Sequence, residues 1–452
     1  MSTFFYKGKE NILPSDETPA IEFGDNSKPS KIKEAFLKVL DNKNLSFLLG
    51  SGCSSCEIKQ NKEGEEDIYQ QIGIPVMAPL AKEFYGLPKF QEAKGWLKKE
   101  LLIDVESKIF ATNLESFLST LHSLSFYHSK IEQPESDNAS EVDIEQQEEE
   151  TKSEFEQLDT AGKINHIIIE ARNFILGKML NEDNVTSKQD EPVLNIYKQF
   201  YRKLLSRNST LPRLSIFTTN YDLYSEKAMD LLGIHYVNGF TGGICKFFNP
   251  TIFNYALAEK MDLSQSKWSV IDNFFYLYKI HGSVNWIEAE GENKLFKVRE
   301  IQEASFDKLK GEATIMIHPT PLKYNASLGS PYSDLFREFQ RKLMVNNNIL
   351  VTIGYSFSDE HINNLIFQAF TIPSFRLIVI GEPTEYNKIG ELKKLDDPRI
   401  WIIGEEFPKD DEHYIPLHFF KRFVDEVLPD LTNEDLDEKM EMTINNLKNL
   451  LQ

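Results

Sequence analysis

The sequence predicts an α/β fold in which a parallel sheet is covered by helices on both faces. From residue 213 onward, short apolar runs alternate with helical segments, the pattern of a sheet buried on two sides. Two Gly-rich turns, Gly50-Ser51-Gly52-Cys53-Ser54 and Gly354-Tyr355-Ser356, each follow such a run. Two polar side chains stand at other run ends, Asn220 beyond 214–218 and His281 beyond 275–280. Ligands of parallel sheets bind outside the carboxyl ends of the strands, where all of these residues fall.

Taken along the chain, residues 1–30 are polar, with Pro14, Pro19 and Pro29, and read as an arm ordered by docking. Helical spacing of Ile32, Ala35, Phe36, Val39 and Leu40 precedes a short buried strand at 45–49 that ends on Gly50. A charged insertion follows at 57–67. Residues 78–207 read as a large helical insertion, with Leu114, Phe117, Leu118, Leu121 and Leu124 in one stripe. Within it, residues 132–159 carry twelve acidic residues against one lysine and are expected to form a mobile loop. The later strands are expected at 214–218, 235–237, 275–280, 314–317, 349–353, 377–380 and 400–403, with helices at 223–232, 334–344 and 360–370. The domain reading is therefore an arm at 1–30, a catalytic domain at 31–405 and a C-terminal helical segment at 406–452. Met440, Ile444, Leu447, Leu450 and Leu451 form its packing stripe.

A chain of 452 residues can bury a large core, and 41% hydrophobic with 12% aromatic residues is too apolar for overall disorder. A formal charge of −20 argues against a duplex-binding surface over much of the molecule, and no direct nucleic-acid binding is expected. Three cysteines, Cys53, Cys56 and Cys245, fit a reducing compartment rather than a disulfide framework. They are too few for a four-thiolate zinc site, and the Cys53/Cys56 pair reads as small residues of a polar loop. No signal-peptide pattern opens the chain, and no run approaches the ~20 apolar residues that span a membrane. The expectation is a soluble, cytoplasmic protein.

Around Gly50, Ser51 and Gly52, backbone N–H groups can approach a pyrophosphate, with the hydroxyls of Ser51, Ser54 and Ser55 as further donors. A plain tight turn explains the same residues equally well, and the G-x-G-x-x-G spacing of hydride-transfer enzymes is absent. Thr218, Thr219, Asn220 and Asp222 gather two hydroxyls, an amide and a carboxylate, a set able to bond a ribose and a carboxamide together. A helix N-cap accounts for Asp222 better than for Asn220. His281 competes with a satisfied core histidine, and His318 has the same placement after a strand.

These motifs together resemble the sirtuin, or silent information regulator, family. The family's Gly-Ala-Gly-x-Ser turn is Gly50-Ser51-Gly52-Cys53-Ser54 here, and its Thr-Gln-Asn-x-Asp is Thr218-Thr219-Asn220-Tyr221-Asp222. Its His-Gly pair is His281-Gly282, and its Gly-Thr-Ser strand end is Gly354-Tyr355-Ser356. The resemblance spans 31 to about 405. It implies a Rossmann-like domain that binds NAD+, with the Gly50 and Gly354 turns, Thr218, Asp222 and Gly381 toward the dinucleotide and the nicotinamide ribose beside Asn220 and His281. Two departures stand out: Gly73-Ile74-Pro75-Val76-Met77 lacks the acid and arginine of the family's Gly-Ile-Pro-Asp-Phe-Arg, and the cysteines of the deacylases' zinc module are missing.

The extra helices at 78–207 and the divergent loops look like those of the sirtuin-like NAD hydrolases of prokaryotic antiphage systems. That implies hydrolysis of NAD+ to nicotinamide and ADP-ribose, with Asn220 holding ribose and water and His281 accepting a proton. It also implies a homo-oligomer and a separately encoded partner such as a HerA-type ATPase, since no G-x-x-x-x-G-K-[ST] occurs in the chain. The alternatives are an NAD-dependent protein deacylase and a sensor that holds NAD or ADP-ribose without turnover. A nuclease ranks last, for want of a metal-ligand cluster beside a basic strip.

Overall fold

The computed structural model describes residues 3–13, 28–60, 68–131, 155–180, 191–262, 267–289, 297–310, 314–316, 330–408 and 413–430. The strands in chain order are β1 Thr3–Lys7, β2 Glu10–Asn11, β3 Asn44–Leu49, β4 Ser55–Gln60, β5 Ile68–Gly73, β6 Ser215–Thr218, β7 His235–Val237, β8 Phe240–Thr241 and β9 Lys246–Phe248. They continue with β10 Ala258–Asp262, β11 Lys267–Val270, β12 Phe274–Lys279, β13 Gly282–Glu288, β14 Val298–Glu300, β15 Thr314–Met316, β16 Asn348–Ile353, β17 Arg376–Ile380 and β18 Ile400–Glu405. The helices used below are α1 Lys28–Leu40, α2 Met77–Tyr85, α3 Phe90–Glu100, α4 Leu114–Ile131, α5 Thr160–Leu180, α6 Glu191–Leu205, α7 Tyr224–Leu231, α8 Phe306–Leu309, α9 Tyr332–Leu343, α10 Glu360–Ala369 and α11 Lys388–Lys394.

The main sheet runs β2-β1-β18-β17-β16-β3-β6-β12-β7, and every pairing from β18 to β7 is parallel. The α/β, Rossmann-like fold expected from the sequence is therefore present. From β3 the chain lays β6 beside it and then β7, with β12 later filling the place between β6 and β7, before it returns to lay β16, β17 and β18 on the other side of β3. The strand order thus reverses between β3 and β16, which makes their carboxyl ends the switch point where such sheets bind ligands. Gly50 and Gly354 follow those two strands directly.

Both sheet faces are dry. Phe47 and Leu49 of β3 pack with Phe36 of α1 and Phe200 of α6, while Leu48 faces the other way toward Phe339 of α9 and Ile362 of α10. Burying each such side chain contributes about 1.5–3 kcal/mol, which is why these strands read as unbroken apolar runs rather than as alternation. Helices α2 to α5 hold a core of their own from Phe84, Phe117, Leu121, Ile164 and Ile167, whereas α6 packs on the sheet. The predicted α4 stripe is this lobe's inner face, with Leu114, Phe117, Leu118 and Leu121 buried.

Three features differ from expectation. Strand β15 joins β13 antiparallel in a five-stranded sheet, β15-β13-β14-β9-β8, instead of the parallel one. The start of the charged insertion forms a hairpin strand, β4, against β5. Near the N-terminus, β1 pairs antiparallel with β18 and extends the main sheet. The acidic stretch 132–154, His318 and the apolar stripe at 440–451 lie outside the described residues. Among the described residues, no helix is long and apolar enough to cross a membrane.

Candidate active site

Backbone contacts knit the two Gly-rich turns together. Gly50 N–H donates to Ile353 O (2.9 Å) and Gly52 N–H to Gly354 O (3.0 Å). A Cβ on Gly50 would lie 2.3 Å from Gly354 O, and Gly354 itself has φ +62°, so neither position has room or conformation for a side chain. The first glycine is thus required by close approach of two loops. Gly50→Ala is expected to destabilise the fold by about 1–3 kcal/mol through forced separation of β3 and β16 ends. Urea midpoints at constant m-value measure it; an unshifted midpoint would contradict the packing argument.

Asn220 and Asp222 sit on the loop between β6 and α7, both 7% exposed. Thr218 Oγ1 accepts from Asn220 N–H (3.0 Å) and donates to Leu49 O (3.1 Å), fixing where the loop leaves the sheet. The Asn220 amide nitrogen donates to Gly50 O (2.9 Å) and Ser54 Oγ (2.8 Å), while Ser54 Oγ donates to Asp222 Oδ2 (2.5 Å). Asp222 Oδ1 accepts from Tyr224 N–H (3.1 Å), so Asp222 both holds the first residue of α7 and steadies the Asn220 network. Beneath them Lys279 Nζ donates to the carbonyl oxygens of Tyr221 and Asp222 and to Ser283 Oγ, and pairs with Glu226.

His281 occupies the turn between β12 and β13, and its Nε2 lies 3.0 Å from Asp359 Oδ2. That oxygen is off the ring's N–H axis, so Nε2 is a buried atom beside a carboxylate but with no aligned hydrogen bond among the described residues. Asn220 Oδ1 is likewise buried without a hydrogen-bond partner. Native interiors pair almost all such atoms, and each orphan costs about 1–3 kcal/mol.

These groups line a cleft of about 540 Å³ at the switch point. Of the residues selected from sequence, Ser51, Ser54, Asn220, Asp222, His281, Gly354, Tyr355 and Ser356 line it. Gly50, Gly52 and Thr218 stand behind its wall, and Gly381 bonds Ile403 O from the end of β17 without lining it. The helical lobe adds Asn113, Glu115 and Ser116, and the α10 entrance adds Ser358 and Asp359. Sequence reading passed over these, since a polar residue in the first turn of a helix looks like any solvated one. The described lining includes three carboxylates, Glu115, Asp222 and Asp359, and no lysine or arginine. Such a wall favours a cationic group, leaving hydroxyls and backbone N–H groups for any phosphate.

A larger groove of about 820 Å³ lies between α10 and α11. It lacks convergent chemistry, so the switch-point cleft is the better candidate. Cys53 is fully buried, its thiol on Ile353 O (3.3 Å), and burial pushes its pKa well above the usual thiol range. Burial pushes Cys56 up to about 11, so neither supplies a thiolate near neutrality. Among the described residues, no three His, Cys, Asp or Glu side chains group to hold a metal.

A doubly wound sheet with glycine turns and an amide–imidazole cleft at its switch point is a Rossmann-like architecture with its polar side chains where such sheets place ligands. Residues 214–372 match the family model of the SIR2-like domain, and over this stretch the chain is sirtuin-like. The match takes in Asn220, Asp222, His281 and the Gly354 turn, and leaves out the Gly50 turn and the helical lobe. A SIR2-like domain is consistent with an NAD-utilising enzyme. No curated protein matches the chain.

Proposed function

We propose that the protein is an NAD+ glycohydrolase that releases nicotinamide and ADP-ribose. The observation that carries this reading is the buried acceptor Asn220 Oδ1, without a hydrogen-bond partner among the described residues, on a side chain that lines one cleft with His281. A ribose offers a hydroxyl that satisfies it, and the bond to nicotinamide sits on that ribose. Because both amide hydrogens of Asn220 are committed to Gly50 O and Ser54 Oγ, its Oδ1 is held as a fixed acceptor for a sugar hydroxyl or water. His281 takes the proton that water loses on bonding to the anomeric carbon, while the C–N electron pair leaves with nicotinamide and quenches its ring charge. Carboxylates of the wall stabilise the cationic sugar as that bond breaks.

The acidic lining, without lysine or arginine among the described residues, supports the same reading, since the nicotinamide ring is a pyridinium until its bond to ribose breaks. As an NAD-depleting enzyme the protein fits an antiphage effector that arrests the infected cell. This reading includes a homo-oligomer held silent until a separately encoded partner, such as a HerA-type ATPase, signals. Chromatography of NAD+ incubated with the purified protein, alone and with candidate partners, tests it. Equimolar nicotinamide and ADP-ribose are expected. Acetyl-ADP-ribose formed from an acetylated peptide would mean a deacylase, and saturable binding without turnover would mean a sensor.

A further inference from the structure

Asp359 does two things at once. Its Oδ1 caps α10, accepting from the N–H groups of His361 (2.9 Å) and Ile362 (3.2 Å). Its Oδ2 takes no part in either cap bond and lies 3.0 Å from His281 Nε2. Helix capping asks for one oxygen, and serine, threonine or asparagine would provide it. Both side chains are nearly sealed from water, 12% exposed for His281 and 7% for Asp359, so the carboxylate acts on the ring with little screening. The contact is pinned from the far side, where Tyr355 Oη donates to Asn363 Oδ1 (3.0 Å) and reaches Asp359 O (3.4 Å).

A neutral imidazole carries one proton, and a carboxylate beside one nitrogen draws the proton there. We infer that Asp359 is a positioning residue that holds the His281 proton on Nε2 and so leaves Nδ1 as the basic nitrogen of the site. This rests on the hydrolase reading only for its kinetic consequence. In the step, water oxygen bonds to the anomeric carbon, the C–N pair departs with nicotinamide, the proton moves from water to Nδ1, and Asp359 remains a carboxylate throughout. The off-axis geometry is that of an unliganded site, in which catalytic hydrogen bonds commonly align on substrate binding.

Asparagine and serine at position 359 separate this role from capping. In Asp359→Asn the Oδ1 cap is kept while an amide donor faces Nε2, which reverses the tautomer. The expected result is a kcat fall of ~100 to 10,000-fold with KM within about twofold. Asp359→Ser keeps a cap oxygen but removes the facing group, and a smaller fall of about tenfold is expected. In a His281→Ala background neither substitution lowers activity further.

A second readout needs no turnover: long-range proton–nitrogen spectra of ¹⁵N-histidine-labelled protein, with the His281 signals assigned by comparison with His281→Asn. The inference requires a proton on Nε2 in the parent and on Nδ1 in Asp359→Asn. A parent tautomer protonated at Nδ1, or losses from Asp359→Asn and His281→Ala that simply add, overturns it. A parent with the expected tautomer and no NAD+ hydrolysis leaves the Asp359 assignment standing and removes the hydrolase reading instead.

Discussion

Asn220→Ala and His281→Ala are each expected to lower NAD+ hydrolysis by ~100 to 10,000-fold, the usual loss when a positioned acid–base or polarising group is deleted. They should differ in what else changes. Asn220 donates to Gly50 O and Ser54 Oγ, so alanine there removes two buried hydrogen bonds as well as the Oδ1 acceptor, leaving Gly50 O with Cys53 N–H and Ser54 Oγ with Asp222. A stability loss of about 1–3 kcal/mol accompanies its kinetic loss. His281→Ala removes a ring whose nearest partner, Asp359, stays engaged by the α10 cap, and it should leave the urea midpoint nearly unmoved. Asn220→Asp sharpens the comparison. It keeps the outline but places an oxygen opposite Gly50 O, a repulsion that turns the side chain or raises its pKa. Steady-state rates with circular dichroism as a folding control decide the matter, and parental rates in folded Ala variants would end the amide–imidazole mechanism.

The strand ends of this site could be found from sequence because β3, β6, β12 and β16 are apolar on both faces and stop at a polar residue or glycine. An unbroken hydrophobic run is the local trace of a strand covered on two sides. Sheet membership leaves no such trace at three residues, so β15 read as one more parallel strand although it pairs with β13 in the smaller sheet. Hairpin strand β4 was hidden for the opposite reason. Only Cys56 and Ile58 alternate with its polar residues, too short a pattern to stand out beside the charged run that follows, so the segment reads as an insertion. Gly50 was recognisable as special, but whether for phosphate or for packing depended on Gly354, three hundred positions away. Asp359 illustrates the limit most clearly. A helix start at 360 is visible in the sequence, whereas the use of the second carboxylate oxygen depends on the β3/β16 reversal that carries α10 beside His281.

Lys279 is the position at which substitution is expected to cost most stability. Its side chain is 1% exposed, and Nζ meets Glu226 Oε1 (3.1 Å), Ser283 Oγ (2.7 Å), Tyr221 O (3.2 Å) and Asp222 O. The ammonium thereby ties the loop bearing Asn220 to the strand leaving His281. Lys279→Met fills much of the volume but leaves Glu226 buried without its cation. Burial already pushes the Glu226 carboxyl above its usual range against the pull of Lys279, so without the lysine the carboxyl must take up a proton or open the site. Breaking a buried pair from one side costs about 3–5 kcal/mol, whereas removing both charges is often nearly neutral. Lys279→Met with Glu226→Gln is therefore expected to recover most of the lost stability. Activity should not return with it, because the Asp222 carbonyl loses the Lys279 ammonium and the loop bearing Asn220 loses its tie to β13. Urea midpoints and NAD+ turnover of the two single variants and the double variant separate charge balance from loop anchoring. A Lys279→Met protein within about 1 kcal/mol of the parent would show that the ammonium is not the tie between the two halves of the site.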